Sequence, residues 1–151
     1  MHTLIRTPTG LIPGDSETAD YLGKVRVGDT LNVEFRLARN PAFHRKYFAL
    51  LKYGYDHWSP ELPVVHGEQA QKNFTRFRKD IVILTGRFER DVRLDGSVRL
   101  EAKSISFGRM DEAEFESLYS DTIDVMLRHI FADSTREDVD QVVERILEFD
   151  G

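Results

Sequence analysis

Apolar and polar residues alternate most regularly between Asp29 and Ala38, where Leu31, Val33, Phe35 and Leu37 interleave with Asn32, Glu34 and Arg36. A period of two predicts a half-buried strand. The period then changes. Phe43, Tyr47, Leu50, Leu51 and Tyr55 recur at helical spacing up to about Trp58, where Ser59-Pro60 and Pro63 stop the run. Asn40-Pro41 opens this helix, Asn as N-cap and Pro at the first helical position, where the missing N–H had no partner. A second helical stripe, Ala70, Phe74, Phe77, Ile81 and Leu84, predicts a helix over Gly67 to Thr85 with Gly86 as its left-handed cap, although Ile81 to Leu84 alone also suits a buried strand. Asp95-Gly96 between two alternating runs, Arg87 to Leu94 and Ser97 to Phe107, is a strong hairpin signal.

The ends of the chain complete the pattern. Thr3 to Ile5 and Leu11 to Ile12, set around Pro8, Gly10 and Pro13, read as a short hairpin or edge strands, followed by a short helix from Ser16 to Lys24. Phe115, Leu118, Tyr119, Thr122, Met126, Leu127 and Ile130 form one stripe of a long helix from Asp111 to Phe131, with Asp111 and Glu114 at capping-box spacing. Ser134 and Glu137 repeat that spacing before Val139, Val142, Val143, Ile146 and Leu147. The expected fold is therefore α+β: small antiparallel sheets or hairpins with an N-terminal strand region, two central helices and a C-terminal acidic helical hairpin. One domain over 1–151 is expected, with a basic, aromatic part (1–109) and an acidic helical part (110–151).

Charge sharpens this division. The net charge of −5 hides 18 Lys/Arg against 13 Asp/Glu in residues 1–109 and 3 against 13 in residues 110–151. Between Arg36 and Lys79 there are nine Lys/Arg and three acids, interleaved with Phe43, Tyr47, Phe48, Tyr53, Tyr55, Trp58, Phe74 and Phe77. Cations that release counterions and aromatics that stack bases are the parts of a single-strand binder. Most of these aromatics lie on the apolar helix faces and belong to a core; Phe48, Tyr53 and Trp58 lie off the main stripes and are the platform candidates.

Other chemistry has little to stand on. The chain has no cysteine, which removes disulfides, thiol nucleophiles and thiolate metal sites and suits an intracellular protein. His44, His57 and His66 lack the i, i+4 spacing that puts two imidazoles on one helix face, so no metal or other cofactor is expected. Ser59 and Ser104 lack a G-x-S-x-G elbow, no phosphate-cradling glycine loop is present, and a nuclease built from Asp80, Glu89 and Asp91 has no signature, so no enzyme is expected. The N-terminal apolar run is too short for a signal peptide, and no stretch approaches the ~18 apolar residues of a membrane span, so a cytoplasmic protein without membrane contact is expected.

Three segments, RNPAFHRKYFALLKYGYDHW (39–58), FRKDIVILTG (77–86) and VRLEAKSISFGRMDEAEFESLY (98–119), resemble a phage and prophage family known as a domain of unknown function. The resemblance implies a role in the host bacterial cytoplasm. Arg39 to Leu51 is also similar to a segment of the NinB, or Orf, recombination mediators, with His44-Arg45-Lys46 where that family has a polar-Arg-Lys group and Phe48 near its aromatic. That similarity implies a homodimeric single-strand DNA binder that helps exchange single-strand-binding protein for recombinase.

Taken together, these readings lead to the expectation of a protein that binds single-stranded or branched DNA, without reading sequence, through Arg36, Arg39, His44, Arg45, Lys46, Lys52, Trp58, Lys72, Arg76 and Lys79. Host single-strand-binding protein, recombinase or a defence complex are the partners that fit it. The alternative is an interaction module in which Asp111, Glu112, Glu116, Asp124, Asp138, Asp140 and Glu144 mimic DNA toward a basic host protein.

Overall fold

The computed structural model describes residues 1–36 and 40–150, the side chain of Asp150 excepted. It is α+β: five helices and three separate two-stranded antiparallel sheets. The chain divides into two compact units, Met1–Arg36 and Leu37–Gly151.

In the first unit, β1 (Leu4–Thr7) pairs with β2 (Gly10–Pro13) as the turn residues predict, and α1 (Ser16–Gly23) follows. Asp15 caps α1 by accepting the Thr18 N–H at 2.7 Å. Thr18 is buried and its hydroxyl accepts the Thr3 N–H at 2.9 Å, which ties hairpin to helix. The predicted strand over Asp29–Ala38 does not form across Asp29–Arg36; its remaining residues lie outside the described ones. A strand is stable only when a neighbour takes its N–H and C=O groups, and no described strand lies beside this segment. Leu31, Val33 and Phe35 accordingly stay 40%, 54% and 68% exposed.

The second unit is built on α2 (Pro41–His57), α3 (Phe74–Leu84), α4 (Glu112–His129) and α5 (Arg136–Asp150). Asn40 caps α2 as expected, its Oδ1 accepting the Ala42 and Phe43 N–H groups at 3.1 and 3.3 Å. The core joins Tyr47, Leu50 and Leu51 of α2, Phe77 and Ile81 of α3, Leu118, Ile123 and Met126 of α4, and Val139 and Val143 of α5. Gly54 lets α2 and α4 approach, since a Cβ there would meet Met126 Cε at 2.7 Å.

Two boundaries differ from the sequence pattern. The helix predicted from Gly67 starts only at Phe74, because His66 and Gly67 have φ of +52° and +83° and turn a short hairpin between β3 (Val64–Val65) and β4 (Glu68–Gln69). Asn73 then caps α3, accepting the Arg76 N–H at 2.8 Å, and Gly86 at φ +89° follows its C-cap. The second capping box lies one residue later than expected: Thr135 and Asp138, not Ser134 and Glu137, bond reciprocally at 2.9 and 3.2 Å. Asp138 is the shorter carboxyl, and Thr135 holds it below the usual carboxylate range through its backbone and side-chain hydrogen bonds.

The Asp95-Gly96 hairpin is present as β5 (Phe88–Val92) against β6 (Val98–Ala102). Gly96 at φ +84° and its N–H bond to Arg93 O at 2.9 Å close the turn. The ribbon is rooted on α3 by Lys79, which donates to Glu101 Oε1 at 3.1 Å.

Candidate nucleic-acid interface

The outer side of α2 is set by what the inner side must bury. Tyr47, Leu50, Leu51 and Gly54 face the core, and at 3.6 residues per turn this leaves Arg45 and Lys52 exposed on the opposite stripe. They are seven residues apart, or about 10 Å along the axis. Among the described residues neither makes an ion pair. Phe48 lies three residues beyond Arg45 at the edge of this stripe and is half-buried. The His44 ring is 4.3 Å from the Phe48 ring and meets Phe107 edge-on at 5.5 Å.

The other candidate cations have duties inside the fold. Lys72 donates to Tyr55 O and Trp58 O, each at 2.7 Å, and lies over the Tyr55 ring at 4.3 Å; it serves the carbonyls that the end of α2 leaves open. Trp58 packs on Phe77 at 5.3 Å, and Tyr53 stacks on Phe131 at 4.6 Å. Arg76 pairs with Asp80 at 2.8 Å one turn on. Lys79 pairs with Glu101, holding that carboxyl below its ordinary range, first by the hydrogen bond and then by charge. Lys46 lies over the Tyr119 ring at 4.6 Å and 3.9 Å from Glu144. Arg36 pairs with Glu34 at 3.0 Å in the first unit, and Arg39 lies outside the described residues.

The acidic candidates are likewise engaged. Asp111 caps α4, and Asp138 sits in the capping box of α5, where its carboxylate accepts the Thr135 N–H. Asp124 pairs with Arg136. Tyr119 donates its hydroxyl to Asp140 Oδ1 at 2.9 Å; burial, then this carboxylate, raises the phenol's pKa. Glu116, Asp140 and Glu144 border one cavity of about 290 Å³ together with Lys46 and Arg136. Glu112 remains exposed at the start of α4. No three His, Asp or Glu among the described residues are placed to hold a metal ion, and no described helix is long and apolar enough to cross a membrane.

The family model described as "Protein of unknown function (DUF1367)" matches residues 1–71 and 64–149, which is nearly the whole chain. The chain belongs to the DUF1367 family. No curated protein and no solved structure matches it.

In this DUF1367 chain one part of the surface escaped the sequence reading. Phe48 and Phe74 line a cavity of about 260 Å³ with Ile105, Phe107, Thr75 and Arg78. Phe48 was a platform candidate, but Arg78 and Thr75 belong to α3, and Ile105 and Phe107 to the segment after β6. Only the fold brings these four to Phe48. The signal available in sequence was the position of Arg78, one residue beyond the core residue Phe77 and off the apolar stripe of its helix.

Proposed function

We propose that this protein binds single-stranded DNA without sequence preference, through the outer stripe of α2. The observation that carries this reading is the pair Arg45 and Lys52, exposed on one helix face, without an ion pair among the described residues and flanking the half-buried Phe48. Unpaired cations beside an aromatic combine counterion release with a stacking surface. The similarity of Arg39 to Leu51 to the NinB mediators includes Arg45 and Phe48 and supports a phage accessory protein in recombination or replication, with branched DNA, host single-strand-binding protein and recombinase as its surroundings and a homodimer as its working form.

The acidic-mimic reading has less support, because Asp111, Asp124, Asp138, Asp140 and Glu144 are held by caps, ion pairs and Tyr119. Fluorescence anisotropy with labelled single-stranded and duplex oligonucleotides, over a salt series, separates the two. Single strands are expected to bind with affinity that falls steeply as salt rises. Arg45→Ala/Lys52→Ala is expected to lower the log-log salt slope by about 1.4, since each neutralised phosphate contributes roughly 0.7 for single strands. A folded protein that binds no oligonucleotide at low salt overturns the proposal.

A further inference from the structure

We infer that the cavity between α2 and α3 receives one unstacked base of the single strand, with Arg78 facing the base or its adjacent phosphate. This rests on the nucleic-acid reading above and adds to its phosphate contacts a site for the base itself. Its volume, about 260 Å³, equals that of about nine liquid water molecules and falls below the range of whole drug-sized ligands. It suits one heteroaromatic ring and is too small for a base pair. Phe48, Phe74 and Ile105, with the buried Phe107 and Tyr47, give it apolar walls, and polar groups, those of Thr75 and Arg78 among them, make up the larger part of its surface.

Arg78 carries much of the weight. It is half-buried, yet makes no ion pair among the described residues. A guanidinium is suited both to lie flat on an aromatic plane and to grip an oxyanion with two N–H groups. An unpaired one at the mouth of an aromatic cavity therefore selects a ligand that is planar, anionic or both, as a nucleotide is. Position adds to chemistry. Phe48 lies on α2 between Arg45 and Lys52, so a strand whose phosphates follow those two cations passes the cavity mouth. A base turned inward leaves its backbone on the helix. Single strands can offer such a base at little expense, whereas a duplex must first unpair one.

The test uses the intact protein with a single strand carrying 2-aminopurine, whose fluorescence falls on stacking, and a strand of equal length made of abasic sugar-phosphate units. Thr75→Phe fills the cavity from the exposed first turn of α3; Arg78→Met removes the guanidinium; circular dichroism confirms that both variants fold. Binding is expected to quench 2-aminopurine in the unaltered protein, and each substitution is expected to remove most of that quenching and weaken binding about tenfold, the order of one base stack. The abasic strand is expected to bind about tenfold more weakly than the normal strand to the unaltered protein and equally to Thr75→Phe. Salt-sensitive binding without quenching, or an abasic strand bound as tightly as a normal one, overturns the base site and leaves the phosphate reading standing. No binding of any strand overturns both.

Discussion

Tyr47 is 1% exposed, and among the described residues neither its hydroxyl nor that of the buried Thr122 has a hydrogen-bond partner. Burial pushes the phenol up to about 12, with the charges of Arg78 and Arg87 acting the other way. The folded state thus holds this proton more tightly than the unfolded chain, whose phenol titrates near 10. The stabilising effect is complete below pH 10 and is lost as pH rises through about 12, up to about 2.7 kcal/mol for a shift of two units. Tyr47→Phe is expected to leave the protein as stable at pH 7 or about 1 kcal/mol more stable, and to reduce the loss between pH 10 and 12; urea unfolding at pH 8, 10 and 11 checks both, and equal losses in the two proteins refute the assignment. The burial of Tyr47 was legible from the stripe it shares with Leu50 and Leu51; its unmet hydroxyl was not, because Thr122 comes from a distant helix. Lys72 was misleading in the opposite way. Composition grouped it with the DNA contacts, but it serves the end of α2, so Lys72→Met is expected to lower stability by about 1–3 kcal/mol and to alter oligonucleotide affinity less than twofold. A large loss of affinity in an equally stable Lys72→Met protein assigns it to the interface instead.

Elements whose signals are local were readable, and those that need a partner were not. Asn40, Asp111 and Gly86 mark helix ends through bonds or backbone angles within a few residues, and each does so in the fold. The Asp95-Gly96 turn is equally local. Asp29 to Arg36 shows the limit: its alternation is the cleanest in the chain, yet nothing in the segment itself can supply the second strand. At Gly67 the apolar stripe continued through a turn, because periodicity records side chains and is silent about a left-handed backbone. The capping box of α4 gives this scale a number. Glu114 N–H donates to Asp111 Oδ1 at 2.8 Å and Asp111 N–H donates to Glu114 Oε2 at 3.0 Å. Asp111→Ala removes the first bond, leaving the Glu114 N–H without its acceptor, and is expected to cost about 1 kcal/mol. Hydrogen exchange locates the loss: amides in the first turn of α4 should exchange faster while those near Met126 follow global stability, and uniform acceleration along α4 counts against a local cap.

For the whole molecule, the change of charge sign at residue 110 marks no seam in the packing. Arg87 reaches Asp121 at 3.0 Å, Lys46 approaches Glu144, and α4 and α5 share a core with α2 and α3. The charge asymmetry was visible in the sequence; the pairing of its two signs needed the fold, since the partners are far apart along the chain. The structural division falls near residue 36 instead. Every residue of the hydrophobic core cluster, and every partly buried one packed against it, lies between Phe43 and Leu147. That core is therefore built from residues of the second unit, and a chain starting at Leu37 is expected to unfold cooperatively with stability within about 1 kcal/mol of the intact protein, a change that moves Tm by roughly 4 °C for a unit of between about 100 and 150 residues. Trypsin offers an independent check, because Arg26 and Arg36 are exposed outside any helix or strand and cleavage there leaves the second unit whole. Early cutting at these two positions, followed by a persistent fragment that keeps its unfolding transition, is the expected course. If removing the first 36 residues instead abolishes the transition, the core of the second unit depends on residues outside it, and the Arg45 and Lys52 stripe must be studied only in the full chain.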